Sequence, residues 1–410
     1  MKINILQYSS IIKIFLFAVI ADLVISCNKE LPNATPIIYP PVNNSSTSIG
    51  SAISSDTSFS FFKAAATKAG LLAALSDSTK LFTVFLPNNN AFRVSGIPSV
   101  AVVNSLPLTS LVPLIQYHII PGQQYTSADV PTTFPNIQLP SYLTISSIPG
   151  TPLSLNMSAF PSVRSNGFWY NNIPVVSPDM KFNNGVVHLV AALVSPPGQL
   201  LKDAIYSNPN LTYFKAAIAR ADSGQIGLNK LDSLLGYAVT NMTVLVPNDA
   251  AFQTLIYGLV YGNVLALTGD PVIADAQGKL AVAAGPAFLS TNNITTIQVR
   301  GIIAYHFLAT DQGLGFQPNI RVFSVNIPPS SQTSPFFITT LINTSFAPHP
   351  GIKADATFTG PFVTKLQFTG RGTFPPGGMP YAGDPATAIS LDNHCVNGVY
   401  YIIDKVLLPQ

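Results

Sequence analysis

The sequence predicts a mixed fold of helices and strands that is built twice, and three observations predict it. Thr83–Phe92 reads TVFLPNNNAF, and Thr243–Phe252, 160 residues further on, reads TVLVPNDAAF. Three other pairs recur around these in the same order: Phe62-Lys63-Ala64-Ala65 with Phe214-Lys215-Ala216-Ala217, Tyr117-His118 with Tyr305-His306, and Asn184-Gly185-Val186 with Asn397-Gly398-Val399. Inside each ten-residue block, an apolar run of β-formers ends at a proline and passes into Ala-Phe, the pattern of a buried strand turning into a helix. The offset between paired segments grows along the chain, from 152 to 160, 188 and 213 residues, so one unit is duplicated and its second copy carries insertions.

In the first copy, Phe61 to Leu75 is alanine-rich with apolar residues at helical spacing, which predicts an opening helix. Leu81 to Leu86 is the buried strand, Pro87 ends its ladder, and the side chain of Asn88 is placed to cap the next helix. Phe92 turns a ring back into the core. Val100 to Tyr117 reads as a helix running into a strand, and Pro131 to Val176 as a strand-rich stretch interrupted by prolines. Within that stretch the lone tryptophan, Trp169, sits between Phe168 and Tyr170, which predicts hairpin packing rather than a sugar-stacking platform. Asn183-Asn184-Gly185 is a hairpin turn signal that feeds a closing strand, Val186 to Val194. The second copy begins after Pro196-Pro197-Gly198, with a helix predicted at Leu211 to Arg220 so close to the joint that the domains should touch. Pro247 and Asp249 repeat the strand end and helix start. Two insertions follow, Tyr261 to Asn293 and Thr310 to Asn393, the first punctuated by a Gly-Asp-Pro turn.

This order of motifs resembles the fasciclin domain family. The resemblance rests on Thr83, Pro87, Phe92, Tyr117, His118 and Gly185 in one copy and Thr243, Pro247, Phe252, Tyr305, His306 and Gly398 in the other. It covers about Ser51 to Gln410. It implies an α+β fold: two tandem fasciclin-like domains, each an antiparallel β wedge with packed helices, over residues 51–197 and 198–410. It also implies adhesion at cell surfaces or in matrices.

Residues 1–26 read as a targeting segment, with Lys2 and Lys13 supplying positive charge ahead of an apolar stretch from Ile14 to Ile25. Val24-Ile25-Ser26-Cys27 then looks like a bacterial lipobox, which makes Cys27 the lipidated first residue of the mature chain. Residues 27–50, rich in Pro, Asn, Ser and Thr, read as a tether reaching roughly 60 Å at about 3 Å per residue. With only Cys27 and Cys395 in the sequence there is no disulfide framework, and Cys395 reads as a small buried hydrophobe.

Composition narrows the function classes. Without residues 1–26 the formal charge is +2, which gives no reason to expect nucleic acid as a partner. Glu30, in the tether, is the only glutamate, so a paired-carboxylate hydrolase is excluded unless scattered aspartates converge. The five histidines form no i, i+4 pair and no H-E-x-x-H, and His118 reads as a core residue whose ring is satisfied by neighbouring backbone. No catalytic residue, metal site or cofactor is expected. The sequence therefore predicts a lipid-anchored, non-enzymatic protein of the bacterial outer membrane or cell surface. It would bind an extracellular protein or polysaccharide and touch the membrane through its anchor alone. The rivals are a carbohydrate-capture accessory protein and a non-binding scaffold. The second-domain insertions are the expected partner site, with the first domain as stalk.

Overall fold

The structure, a computed structural model, describes residues 46–145, 155–291, 294–311, 316–330, 335–344, 351–372 and 384–409. Cys27, nearly all of the tether, His349, Phe374 and Tyr381 lie outside them. The first domain begins within the expected tether, because Ser48 caps helix α1 (Ile49–Ser55), whose Ile49 and Gly50 are already buried.

The opening helix is broken in two, α2 (Ser60–Lys68) and α3 (Leu72–Ser76), with Gly70 between them. The chain continues through β1 (Phe82–Pro87), α4 (Asn89–Val94), α5 (Val100–Ser105), α6 (Leu108–Tyr117) and β2 (Ile119–Pro121). The single helix expected from Val100 is thus two. Pro107 disfavours helical backbone at Leu106, and the chain turns there. Strands β3 (Leu139–Ile145), β4 (Leu155–Ala159), β5 (Pro161–Arg164), β6 (Gly167–Tyr170), β7 (Ile173–Phe182) and β8 (Gly185–Val190) complete the domain.

After the joint, α7 (Leu201–Ser207) precedes the predicted helix, which is α8 (Thr212–Ala221). α9 (Leu231–Gly236) and β9 (Met242–Pro247) lead to α10 (Asp249–Thr268), α11 (Pro271–Ala283) and α12 (Thr296–Tyr305). The strands β10 (Phe307–Leu308), β11 (Thr310–Asp311), β12 (Phe316–Gln317), β13 (Phe336–Ile338), β14 (Ile352–Thr359), β15 (Phe362–Thr369), β16 (Ala386–Cys395) and β17 (Gly398–Ile403) end the chain.

Among the described residues the two main sheets have corresponding orders, β2-β1-β8-β7-β6-β5 and β10-β9-β17-β16-β15-β14-β13. The wedge is antiparallel except at one central pair in each domain. β8 lies parallel to β1, with Thr83 opposite Val186, and β17 lies parallel to β9, with Thr243 opposite Val399. That pairing follows from connectivity: the closing strand returns from the far side of the sheet after a long excursion, so it need not reverse direction as a hairpin would. Both central strands of the first domain are buried along their whole length.

Each sheet separates two cores. Val84, Leu86, Val187 and Leu189 face the helices and meet Ile49, Phe62, Leu75, Phe92 and Leu111. Phe85 and Val190 face the other way, toward Leu139, Met157, Phe168 and Tyr170. β9 repeats the alternation, Val244 and Val246 toward its helices and Leu245 toward the outer strands. The core around Leu245 is shared between domains, since Phe160 and Trp169 of the first domain pack in it with Phe323, Tyr305 and Leu366.

The two expected insertions fold differently. The described residues of Thr310 to Asn393 are built around sheet: β14, β15 and β16 extend the domain's own wedge, and Ala354, Ala356, Leu366 and Phe368 point into its core. The described part of Tyr261 to Asn293 is helical. α10 runs on for 20 residues where its counterpart α4 has six, and α11 folds back along it. The predicted Gly-Asp-Pro turn is a helix end followed directly by a helix start. Gly269 takes the left-handed conformation (φ 66°) that closes α10, Asp270 accepts from the Val272 N–H at 2.8 Å, and Pro271 opens α11.

Candidate functional site

The motif residues form one hydrogen-bonded framework, made twice. Asn88 and Asn248 cap the helices after the prolines, accepting from the Ala91 and Ala251 N–H at 2.9 and 2.8 Å. The next residue ties in the opening helix: Asn89 accepts from the Phe61 N–H at 3.0 Å, and Asp249 from the Tyr213 N–H at 2.9 Å. Phe92 and Phe252 are buried beneath. Pro87 and Pro247 are the last, buried residues of their strands. Thr83 holds the segment after β2, donating to the Gln123 carbonyl (2.9 Å) and accepting from the Tyr125 N–H (2.8 Å). Thr243 repeats both bonds with Ile320 and Val322, at 2.7 and 2.9 Å.

Each Tyr-His pair is a rivet between helix and tail. The His118 Nδ1–H donates to the Leu114 carbonyl at 2.8 Å, and its Nε2 accepts from the Val194 N–H at 3.1 Å. His306 does the same with Ile302 (2.7 Å) and Leu407 (3.0 Å). Both rings are fully buried, and burial pulls each imidazole down to about 4, so both are neutral at pH 7. With both ring nitrogens engaged by backbone, neither has a lone pair left for a metal. Tyr117 and Tyr305 donate outward to the Ser158 and Gly351 carbonyls, each at 3.0 Å.

The Asn-Gly turns close the framework. Asn184 accepts from the Ile49 N–H (2.9 Å) and donates to the Leu75 carbonyl (2.8 Å); Asn397 accepts from Leu201 (2.8 Å) and donates to Leu235 (2.8 Å). The glycines lie against the neighbouring strand, where a Cβ would sit 2.1 Å from the Phe82 carbonyl oxygen at Gly185 and 2.5 Å from that of Met242 at Gly398. Asn397→Ala leaves a buried donor and a buried acceptor unpaired, and is expected to lower stability by about 2–4 kcal/mol in urea denaturation. An unchanged midpoint would contradict this role.

Further repeated contacts carry no motif in the sequence. Asp179 accepts from the Ser127 N–H at 2.7 Å, and Asp392 from the Ser324 N–H at 2.7 Å. His188 donates through Nε2 to the Tyr125 carbonyl at 2.8 Å, and the Tyr401 hydroxyl reaches the equivalent Val322 carbonyl at 2.8 Å. A phenol in one domain thus performs the hydrogen bond of an imidazole in the other.

The sequence model of the Fasciclin domain matches residues 57–196, and the second domain repeats the motif hydrogen bonds of that segment at Thr243, His306 and Asn397. This chain holds a fasciclin domain at residues 57–196. It is similar to protein sll1483 of Synechocystis sp., at 28% identity over 185 residues covering 44% of this chain and 91% of that protein. It is similar also to sll1735 of the same organism, at 29% identity over 137 residues, covering 33% and 88% respectively. A solved FAS1 domain pair from the insect cell adhesion molecule fasciclin I aligns with 85% of this chain and 95% of its own, at 13% identity and a TM-score of 0.31.

The motif positions therefore build fasciclin domains and leave no reactive group exposed. Among the described residues no three His, Cys, Asp or Glu side chains gather as metal ligands. Phe168, Trp169 and Tyr170 are buried in the β5–β6–β7 hairpins, so they offer no stacking platform. Cys395 is buried, and burial pushes its thiol up to about 12.

What distinguishes the two fasciclin domains is their surface. Of the large apolar side chains exposed among the described residues, Leu81, Leu108 and Tyr142 are on the first domain, and all the others are on the second. They include Leu267, Val272, Ile273 and Leu280 on the α10–α11 hairpin, and Ile226, Leu228, Tyr237 and Val239 on the two sides of α9. Periodicity does not flag the second group, because it sits on loops.

Proposed function

We propose that this fasciclin protein is a lipid-anchored adhesion or ligand-binding protein of the bacterial cell surface, and that its second domain makes the contact. The observation that carries the reading is the asymmetry of exposed apolar surface. The two domains share one framework, so the excess of exposed apolar side chains on the second is surface the fold itself does not need. The group around α9 suits an extracellular protein partner. It combines aliphatic side chains with a half-exposed tyrosine (Tyr237, 49%), the kind of residue that anchors protein interfaces. The match to a family of often adhesive, non-enzymatic domains supports the same reading.

Two measurements test it. Mass spectrometry of the mature protein is expected to find Cys27 acylated and N-terminal; an unmodified Cys27, or residues retained before it, removes the anchor. Full-length Ile226→Asp/Val239→Asp protein is expected to keep its thermal stability but lose at least tenfold in adhesion to the native cell surface. Undiminished adhesion would remove the α9 surface from the reading.

A further inference from the structure

α11 has two opposite faces. On one, Ala274, Gly278 and Ala281 are buried against α10, where a Cβ on Gly278 would come within 2.8 Å of the Tyr257 ring. On the other, Val272, Ile273, Ala276, Leu280, Ala283 and Ala284 are all exposed, and at 100° per residue they share a sector of about 120° that contains no polar side chain. A sector of that width ordinarily faces a protein core. Here it faces outward, with Leu267 at the hairpin tip 86% exposed. The charges beside it are already spent: Lys279 pairs with Asp275 at 2.7 Å, and Asp275 also accepts from the Tyr257 hydroxyl at 2.9 Å.

We infer that this face of α11 lies on the phospholipid bilayer that carries the lipid anchor, giving the protein a second membrane contact besides Cys27. The inference rests on the lipid-anchored reading above. Three arguments favour lipid over another occupant. A helix of 13 residues is about 20 Å long and presents roughly 200 Å² along one face, far below the ~800 Å² per partner of a stable protein interface. The face is purely aliphatic, without the tyrosine, tryptophan or arginine that concentrates binding energy between proteins, whereas acyl chains need only apolar area. The chain between Cys27 and α1 spans roughly 60 Å when extended at about 3 Å per residue, so the bilayer is always within reach and even a weak contact is made at high effective concentration. The second domain then rests on the membrane, and the first is no stalk beneath it.

The test uses the full lipidated chain in phosphatidylcholine vesicles. An environment-sensitive fluorophore is attached at Ala276→Cys, or at Ala101→Cys on the exposed side of α5 as control; Cys395 is buried and the Cys27 thiol is consumed by lipid. Emission from position 276 is expected to shift to the blue and to fall at least twofold with spin-labelled lipid, while position 101 stays unquenched. Adding Val272→Asp/Leu280→Asp should reduce quenching at 276 to the level of 101. Equal quenching at both positions, with Cys27 shown to be acylated, overturns the inference and leaves the anchor standing. A blue shift that grows with protein concentration but resists lipid quenchers overturns it in favour of a second copy on α11. An unmodified Cys27 removes the anchor and this inference together.

Discussion

Acidification from pH 7.5 to pH 4.5 is expected to destabilise the folded protein by about 2–3 kcal/mol for each of His118 and His306. Both rings are held near pKa 4 by burial, against about 6.5 in an unfolded chain. Between those values the unfolded state binds more protons than the folded one, so stability falls as pH drops through 6.5 toward 4. The contribution is fully present above that window. His188 and His394 act in the same direction, each lowered chiefly by burial, and His394 further by the Arg321 guanidinium beside it. Asp392 opposes them, since burial raises its carboxyl and the folded state gains a proton there first. The measurement is the urea midpoint at pH 7.5, 6.0, 5.0 and 4.5. His118→Ala should lower stability at pH 7.5 by about 1–3 kcal/mol, by opening a cavity and unpairing the Leu114 and Val194 backbone groups. It should also remove about 1.4 kcal/mol per pH unit of slope within the window. A wild-type midpoint that does not move between pH 7.5 and 5.0 would contradict the neutral, backbone-satisfied state of these rings.

The duplication made the framework readable. A threonine, a proline, an asparagine and a glycine at fixed places mean little once, but their return in order marks positions where the backbone demands that residue. Thr83 and Thr243 each satisfy two backbone groups that no sheet ladder reaches, and Gly185 and Gly398 sit where a methyl group would meet a carbonyl. The parallel central pair was not readable, because a strand buried on both faces shows the same apolar run whichever way it points. Nor was the α10–α11 hairpin. The segment from Ala250 to Thr268 has no charged residue, so its helical period does not stand out from its overall apolarity, and Gly269-Asp270-Pro271 serves equally as a turn or as two helix ends. Arg321 was hidden for another reason. It is 3% exposed and has no carboxylate in ion-pair distance among the described residues. Neutral acceptors hold it: Asn241 Oδ1 at 2.7 Å, His394 Nε2 at 2.9 Å and the Val396 carbonyl at 3.1 Å. Burial draws it down to about 10, so it remains charged at neutral pH. Nothing in the local sequence singles out one arginine for that place, whose acceptors lie in the second domain and whose cover, Phe160, arrives where the domains meet.

That meeting sets the last expectation: the two domains unfold together, and Phe160→Ala separates them. Phe160 lies under the Arg321 guanidinium, 4.4 Å from its ring centre, and 6.4 Å from the ring of Phe323. Beside it, Asn136 donates to Asn326 Oδ1 (2.8 Å) and to the Arg321 carbonyl (3.1 Å), while Asn326 donates to Ser162 Oγ (2.7 Å). Aromatic residues of one domain thus fill the core of the other, and chains with separate domain cores lack that coupling. The only tryptophan, Trp169, is fully buried in this shared core, so its fluorescence reports the seam directly. In the wild type, its red shift on heating should coincide with the loss of far-ultraviolet ellipticity in one transition. Phe160→Ala should cost about 3–5 kcal/mol and split that transition in two, with the tryptophan signal following the earlier step. Trp169→Phe is expected to be much milder, because its indole Nε1 has no hydrogen-bond partner among the described residues and none is lost on replacement. A single, unshifted transition in Phe160→Ala would show that the seam is mere contact and that each domain stands on its own core.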